Sequence, residues 1–505
     1  MPATATAPAS SVRPGSPQHL GVTGPARGAA PGPARSSVPA PPTGPALSLA
    51  GLMTVLVGVF LPMVDFFIVN VALPTMRRDL HTSTAMLELV VSGYATTYAV
   101  LLVLGGRLGD SHGRKRLFLA GIAAFTAASL LCGLAPSAAA LVGARVLQGA
   151  AAALMVPQTL STIQATGDAA SRSRALGWYG ATGGLAAVTG QLLGGVLVSA
   201  NLDGTGWRAI FLVNVPVGLL GLALAVRCVP ETRAVRRRRI DVLGTLLLAV
   251  TMIAVLVPLT EAPTLGWPPW CWLLLALAPT GAGALIITER RLERRGGAPL
   301  IPPSVLAHVS MRRGLLLAVP FFGTFGAFMF VYALITQTEL GFSPMGAGLA
   351  LAPMALAFLL ASLATTSLVA RFGRRVIGAG GVVQLVGLVV LVGSLLTWWP
   401  RVRLSELLPG LAIMGAGQGL VMSPLFRVVL SDVPVEMAGA GSGVLTTTQQ
   451  TSLALGVATL GTLYVQLSSP LRLGALNAAL VVFGFQALVA AGIVAGSRAL
   501  PRATR

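Results

Sequence analysis

Asp65 and Arg145 are the charged residues that stand deepest inside long apolar runs. Asp65 lies in MVDFFIVNVALP, residues 63–74, and Arg145 in LVGARVLQGAAAALMVP, residues 141–157. If those runs span a membrane, each charge costs about 2.5–3.5 kcal/mol on insertion scales, so each needs a partner, a polar cavity or, for the acid, a proton. A carboxyl that must be either paired or protonated is the smallest device that can carry a proton. Arg145 supplies an opposite charge, and its candidate partners are Asp65, Glu88 and Gln148. The same residues also read as a fixed ion pair or a hydrogen bond within a helix bundle, and spacing alone leaves those readings open.

The segment GRLGDSHGRKR, residues 106–116, carries a different chemistry. Gly106 allows close helix approach and Gly113 a tight turn. Asp110 stands near Arg114, Lys115 and Arg116. Cations at a membrane edge are expected from topology, but an acid among them is not. The segment resembles the signature loop of the major facilitator superfamily, G-x-L-x-D-x-x-G-R-K/R, at Gly106, Leu108, Asp110, Gly113, Arg114 and Lys115. It departs at Ser111, a place usually basic. The resemblance implies that this loop latches two halves of the molecule together on the cytoplasmic side.

Other motifs narrow the resemblance to the fourteen-helix drug:proton antiporters. Asp65 followed by IVNVALP is similar to that family's first-helix motif, and Arg145, Gln148 and Gly149 to its R-x-x-Q/x-G. GQLLGG, residues 190–195, is similar to the antiporter G-P-x-x-G-G, with Gln191 in place of the proline that would kink the helix. The many glycines here also serve plain close packing. GWRAIFLVNVPVG (206–218), RRRRIDVLG (236–244), FVYALITQTELGFSPMGAGLALAP (330–353) and AGAGSGVLTTTQQTSLALG (438–456) agree as well, and Glu88 replaces a usual glutamine. The resemblance implies proton coupling by Asp65 and Arg145, and a substrate cavity involving Asn70, Glu88, Gln148, Gln191, Phe325 and Gln337.

These residues need a scaffold, and composition points to one. The 505 residues are 54% hydrophobic and only 10% charged. A soluble domain carries about 25% charge, so this chain cannot coat a water-facing surface. Lipid must solvate it, and long continuous apolar runs there mean helices rather than barrel strands. Fourteen runs lie near 48–74, 87–106, 117–135, 138–163, 175–200, 208–228, 241–260, 269–288, 314–338, 345–369, 376–398, 405–430, 438–467 and 474–497. The third and fourth separate only at Pro136.

An even number of spans puts both termini on one side. In this register 28 of the 35 Lys and Arg residues fall in cytoplasmic segments, six outside and Arg145 within the membrane. That bias places both ends in the cytoplasm. A weak internal repeat supports two related halves: Gly113-Arg114-Lys115 recurs as Gly373-Arg374-Arg375, and Gly143, Met155 and Pro157 as Gly410, Met422 and Pro424. In the second loop Ala370 stands where Asp110 would. The expected fold is all-α, a major facilitator fold of two six-helix bundles plus two inserted helices. Its parts are a disordered cytoplasmic tail (1–46), a first bundle (47–228), a basic linker (229–240), an inserted pair (241–288), a second linker (289–313), a second bundle (314–497) and a short tail (498–505).

The net charge of +20 does not indicate nucleic acid, because it sits in short clusters between apolar runs. Cys132, Cys228 and Cys271 lack metal-ligand spacing, the four histidines are scattered, and no G-x-x-x-x-G-K is present. No cofactor, metal or ATP site is expected. The expected partners are a small-molecule substrate, protons and the bilayer, for a monomer in a bacterial inner membrane. The expected function is proton-coupled export of amphipathic small molecules. Import of a polar nutrient and a membrane enzyme are the alternatives. Apolar cavity helices count against the first, and the absence of clustered histidines or a paired acidic motif counts against the second. Phe321, Phe322, Phe325, Phe328 and Phe330 of the ninth run suit a greasy ligand, or lipid.

Overall fold

The structure, a computed structural model, describes residues 47–500 except 83, 202–203, 233–240, 298, 435–436 and 470; the side chain of Glu88 lies outside that description. The tail at 1–46 and the arginines at 236–239 are likewise outside the described residues.

Among the described residues the regular elements are all helical, and thirteen helices are long and apolar enough to cross a bilayer. They are α1 (Leu49–Asp79), α2 (Thr84–His112), α3 (Arg114–Gly133), α4 (Ala138–Ala165), α5 (Ala169–Ala200), α6 (Gly206–Cys228), α7 (Val242–Leu265), α8 (Pro269–Arg294), α9 (Val309–Glu339), α10 (Pro344–Phe372), α11 (Arg375–Trp398), α12 (Leu404–Val429) and α14 (Gly474–Ser497). The segment 438–467, called α13, is not among the thirteen. It runs as Ala438–Gly456, a π turn at Val457–Gly461, and Thr462–Leu467.

Several helices outrun the apolar segments that announce them. Helix α2 continues to His112, so residues 106–112 of the signature segment are helix, not loop. The reversal is made at Gly113, whose φ of 105° is open to glycine and strained for other residues. Helix α8 continues to Arg294, and a short helix follows at Pro303–Ala307, so much of the expected linker at 289–313 is helical. Hydropathy marks only the part of a helix that lies in hydrocarbon, whereas hydrogen bonding carries the helix on into the polar layer. The break at Pro136 holds: α3 ends at Gly133, and Ser137 caps α4 by accepting a hydrogen bond from the Ala140 amide.

Packing repeats eight helices apart. Helix α1 packs on α5, α2 and α3 on α4, and α3 on α6; likewise α9 packs on α13, α10 and α11 on α12, and α11 on α14. Between these sets, α5 packs on α10 and α12, and its counterpart α13 packs on α2 and α4. Helices α7 and α8 pack on each other, and α7 also lies along α2.

Glycines set how closely α5 approaches its neighbours. A Cβ at Gly190 would lie 2.7 Å from the Val64 carbonyl of α1, one at Gly195 would lie 2.3 Å from the Pro344 carbonyl of α10, and one at Gly184 would lie 2.0 Å from the Phe358 ring. This is the small-residue contact that membrane helices use in place of a hydrophobic drive. The surface matches: Leu220, Leu316 and Leu488 are exposed on the outside, while Asp65, Arg145 and Gln148 are fully buried.

Candidate functional site

Helices α1, α3, α4 and α6 bring five polar side chains, Asp65, Ser129, Arg145, Gln148 and Asn214, to one buried point. Asp65 and Arg145 are both fully buried and form an ion pair through Oδ2 and Nη1. The other carboxylate oxygen, Oδ1, accepts from Gln148 Nε2 and from Asn214 Nδ2, each at 2.9 Å. Ser129 Oγ accepts from the same two amides, at 2.6 and 3.2 Å. Gln148 Oε1 accepts from Arg145 Nη1 at 2.7 Å and from the Cys132 thiol at 3.6 Å. Arg145 Nε donates to the Val90 carbonyl at 3.1 Å. The guanidinium carbon lies 4.1 Å from the centre of the Tyr94 ring, and the Tyr94 hydroxyl donates to the Pro62 carbonyl at 2.9 Å.

A buried charge is tolerable only when paired and hydrogen-bonded, and here the carboxylate has donors on both oxygens. Arg145 keeps Gln148, Val90 and the Tyr94 face as partners even without Asp65.

A cavity of about 950 Å³ lies next to this network. Its walls include Phe66, Leu73 and Pro74 of α1, Leu87, Val91 and Ala95 of α2, Leu256 of α7, Phe330 and Leu334 of α9, and Ala454 and Val457 of α13. Its rim at the α1–α2 turn carries Arg77, Arg78 and His81. Phe66 is a wall residue, and its ring lies 6.3 Å from that of Tyr94, the ring under Arg145. Asn70 stands on the same helical face as Phe66, Leu73 and Pro74; it is nine-tenths buried, and among the described residues its Oδ1 has no hydrogen-bond partner.

The opposite end of the halves is shut. Tyr179 of α5 meets Phe426 of α12 edge-on at 5.5 Å, and a Cβ at Gly180 would lie 3.2 Å from Ser423. At Gly177 it would lie 2.9 Å from Arg427 Nη2, which donates to Thr366 Oγ1 at 3.0 Å.

The residues expected in a substrate cavity mostly lie elsewhere. Gln148 belongs to the Asp65 network. Gln191 Nε2 donates to the Met329 carbonyl of α9 at 3.4 Å, bridging α5 and α9. Phe325 packs edge-on against Phe67 at 6.1 Å, a contact between α9 and α1. Gln337 sits half-exposed on the π turn at Ile335–Glu339. None of these four, nor Asn70, is in contact with the cavity in this conformation. The α9 residues that are follow a four-residue step, Phe330, Leu334 and Thr338, and Phe325 falls off that face. Phe321, Phe322 and Phe328 are buried in the bundle, so of the five phenylalanines only Phe330 lines the cavity. The side chain of Glu88 lies outside the described residues.

The signature segment also sits differently. Asp110 near the end of α2 pairs with Arg114 at the start of α3, across the Gly113 reversal, at 2.9 Å. Arg114 Nη1 donates to the Ser161 carbonyl of α4 at 3.1 Å, and Lys115 Nζ to the Val226 carbonyl of α6 at 2.8 Å. The motif thus joins the ends of α2, α3, α4 and α6, and among the described residues its ion pair does not cross to α9–α14. Gly106 meets Pro157 only at ordinary contact; the close approaches are at Gly105, where a Cβ would lie 1.9 Å from the Ala153 carbonyl, and at Gly109, against Gln158.

Sequence reasoning passed over Asn214, Ser129 and Tyr94. Asn214 was visible as a lone amide in the apolar run IFLVNVPVG, and the rule that flagged Asp65 would have flagged it too.

Over residues 55–457 the chain matches the family model described as Major Facilitator Superfamily. The chain belongs to the major facilitator superfamily. Superfamily relatives share much of its length. It is 38% identical over 423 residues to the "Probable actinorhodin transporter" of Streptomyces coelicolor, covering 82% of this chain and 72% of that one. It is 37% identical over 418 residues to the "Puromycin resistance protein pur8" of Streptomyces alboniger, covering 82% and 81%. Among solved structures, the POT family transporter PepTSo shares the fold with a TM-score of 0.62 at 15% identity, over 89% of this chain and 98% of that one.

Proposed function

We propose that the protein is a proton-coupled exporter of amphipathic small molecules, working by alternating access in a bacterial plasma membrane. The relatives' names, an actinorhodin transporter and a puromycin resistance protein, support export of bulky antibiotic-like molecules. The single observation that carries proton coupling is the buried Asp65–Arg145–Gln148–Asn214 network, linked to the cavity wall through Tyr94 and Phe66.

In this reading the segment 438–467 crosses as well, which gives fourteen spans and puts both termini in the cytoplasm. The cavity then opens outward and the cytoplasmic end is closed. Protonation of Asp65 cancels its charge and releases the Arg145 pair. Helices α1 and α4 are then free to shift, and Phe66 moves with α1. The wall that holds substrate and the site that holds the proton therefore share a helix. Asp110 acts at the cytoplasmic end by bracing Arg114, and a monomer contains every part needed.

Nutrient import fits less well, because the cavity walls are mainly apolar. The test is transport in proteoliposomes with an imposed pH gradient and a planar aromatic polyketide or puromycin as probe. Gradient-dependent accumulation with counter-movement of protons is expected. Accumulation that ignores the gradient would remove proton coupling.

A further inference from the structure

The inserted pair is rooted beside the signature segment by a second polar cluster. Arg107 of α2, nine-tenths buried, donates through Nη2 to the carbonyls of Pro299 and Leu300 in the segment between α8 and α9; the Leu300 contact is 3.0 Å. Glu289 of α8 is 2% exposed, and its Oε2 accepts from the Ile301 amide at 3.0 Å. Asp241 caps α7 by accepting from the Gly244 amide through Oδ1 at 2.8 Å. Val103, Leu248, Leu285 and Leu300 form a small apolar core around this root.

Among the described residues, one oxygen of each acid has no donor: Asp241 Oδ2 and Glu289 Oε1 are both buried without a hydrogen-bond partner. They also converge: a Cβ at Gly244 would lie 2.4 Å from each of them. Among the described residues, Arg107 is a cation whose charge reaches Glu289. Glu293, one turn along α8, is engaged by Ser304, and Arg290, Arg291, Arg294 and Arg295 are exposed. Residues 299–302 carry no titratable side chain. Two ionised carboxylates facing each other in an apolar core repel, and each bare oxygen keeps its full desolvation cost.

We infer that Asp241 and Glu289 share one proton, forming a proton-binding site separate from Asp65 at the root of the inserted helix pair. The proton lies between Oδ2 and Oε1 and satisfies both, while Oε2 keeps Ile301 and Oδ1 keeps the α7 cap. Loss of the proton leaves two anions in contact, relieved only by parting α7 from α8 and its following segment. The seat of that segment on Arg107 loosens with it. The site goes beyond the export reading and does not depend on it.

Infrared difference spectroscopy of the full-length protein in lipid nanodiscs, titrated upward from mildly acidic pH, reads the shared proton as a protonated-carboxyl band that disappears. The band is expected in the wild type and in Asp65→Asn, and is expected to be lost in both Glu289→Gln and Asp241→Asn. Thermal unfolding gives a second readout. A proton held more tightly in the folded state makes wild-type stability fall as pH rises, whereas Glu289→Gln, whose amide donates to Asp241 Oδ2, should hold its midpoint. A band that survives in both single variants, or no band beyond the one lost in Asp65→Asn, overturns the inference. So does a band that shifts when sodium is replaced by choline at fixed pH, which would make the site one for a metal cation. The wild-type titration needs no variant, so a misfolded substitution leaves the test intact.

Discussion

Arg145 touches Asp65 on one side and the face of Tyr94 on the other, with its guanidinium carbon 4.1 Å from the ring centre. The arginine is held from α1, α2 and α4 at once, and its seat does not depend on the acid alone. Its neutral contacts to the Val90 carbonyl, Gln148 and the Tyr94 ring do not depend on the Asp65 charge.

Replacing Arg145 should therefore separate charge from shape. Arg145→Ala strands a buried carboxylate, a loss of roughly 3–5 kcal/mol for a broken buried pair, and should cripple transport. Arg145→Lys keeps the charge but loses the fork that reaches Val90 and Gln148, and should retain part of the activity. Thermal unfolding of the purified variants, read with vesicle transport, checks both. Full transport by the alanine variant would make Arg145 a tolerated residue.

Gly184 tests the closed end. A Cβ there would lie 2.0 Å from the Phe358 ring across the α5–α10 contact. Gly184→Leu should disfavour the conformation with this end shut and populate the one with it open. Spin-label distances between the ends of α5 and α10 should lengthen, and turnover should fall more than substrate affinity. Unchanged distances would mean that the ring yields and the contact does not gate.

Asp110→Ala removes the acid that holds Arg114 at 2.9 Å. Arg114 also reaches the Ser161 carbonyl, so the variant should fold but lose the fixed angle between α2 and α3. Coupling in such switches is typically about 1–3 kcal/mol, or roughly 5–150-fold in an equilibrium. The expected shift is toward the inward-facing state, with turnover lost more than affinity. Crosslinking across the cytoplasmic mouth reports it, and unchanged crosslinking with unchanged turnover would leave Asp110 a topology residue.

Membrane class, helix positions and the Asp65–Arg145 pair were legible in the sequence because each follows from the cost of polarity in hydrocarbon. Cavity residues were not. Which face of α9 meets the cavity depends on rotation about the helix axis, and apolar residues on most sides of a helix do not say which of them faces the cavity and which packs on a neighbour. Phe325 and Phe330 look alike in sequence, yet one packs on Phe67 and the other lines the cavity. The interruption of 438–467 was equally hidden, since a π turn changes hydrogen bonding without changing hydropathy. The signature segment was found, but its partners within α4 and α6 are backbone carbonyls, which no motif records.

The most direct measurement compares two transport modes in Asp65→Asn. Asparagine keeps the shape of the acid and removes the proton, and Phe66 still lines the cavity. In proteoliposomes, substrate counterflow without a pH gradient should persist, while accumulation driven by a pH gradient should vanish. Gradient-driven accumulation at the wild-type level would show that Asp65 does not carry the coupling proton. Loss of both modes in a folded variant would place Asp65 in the substrate path instead.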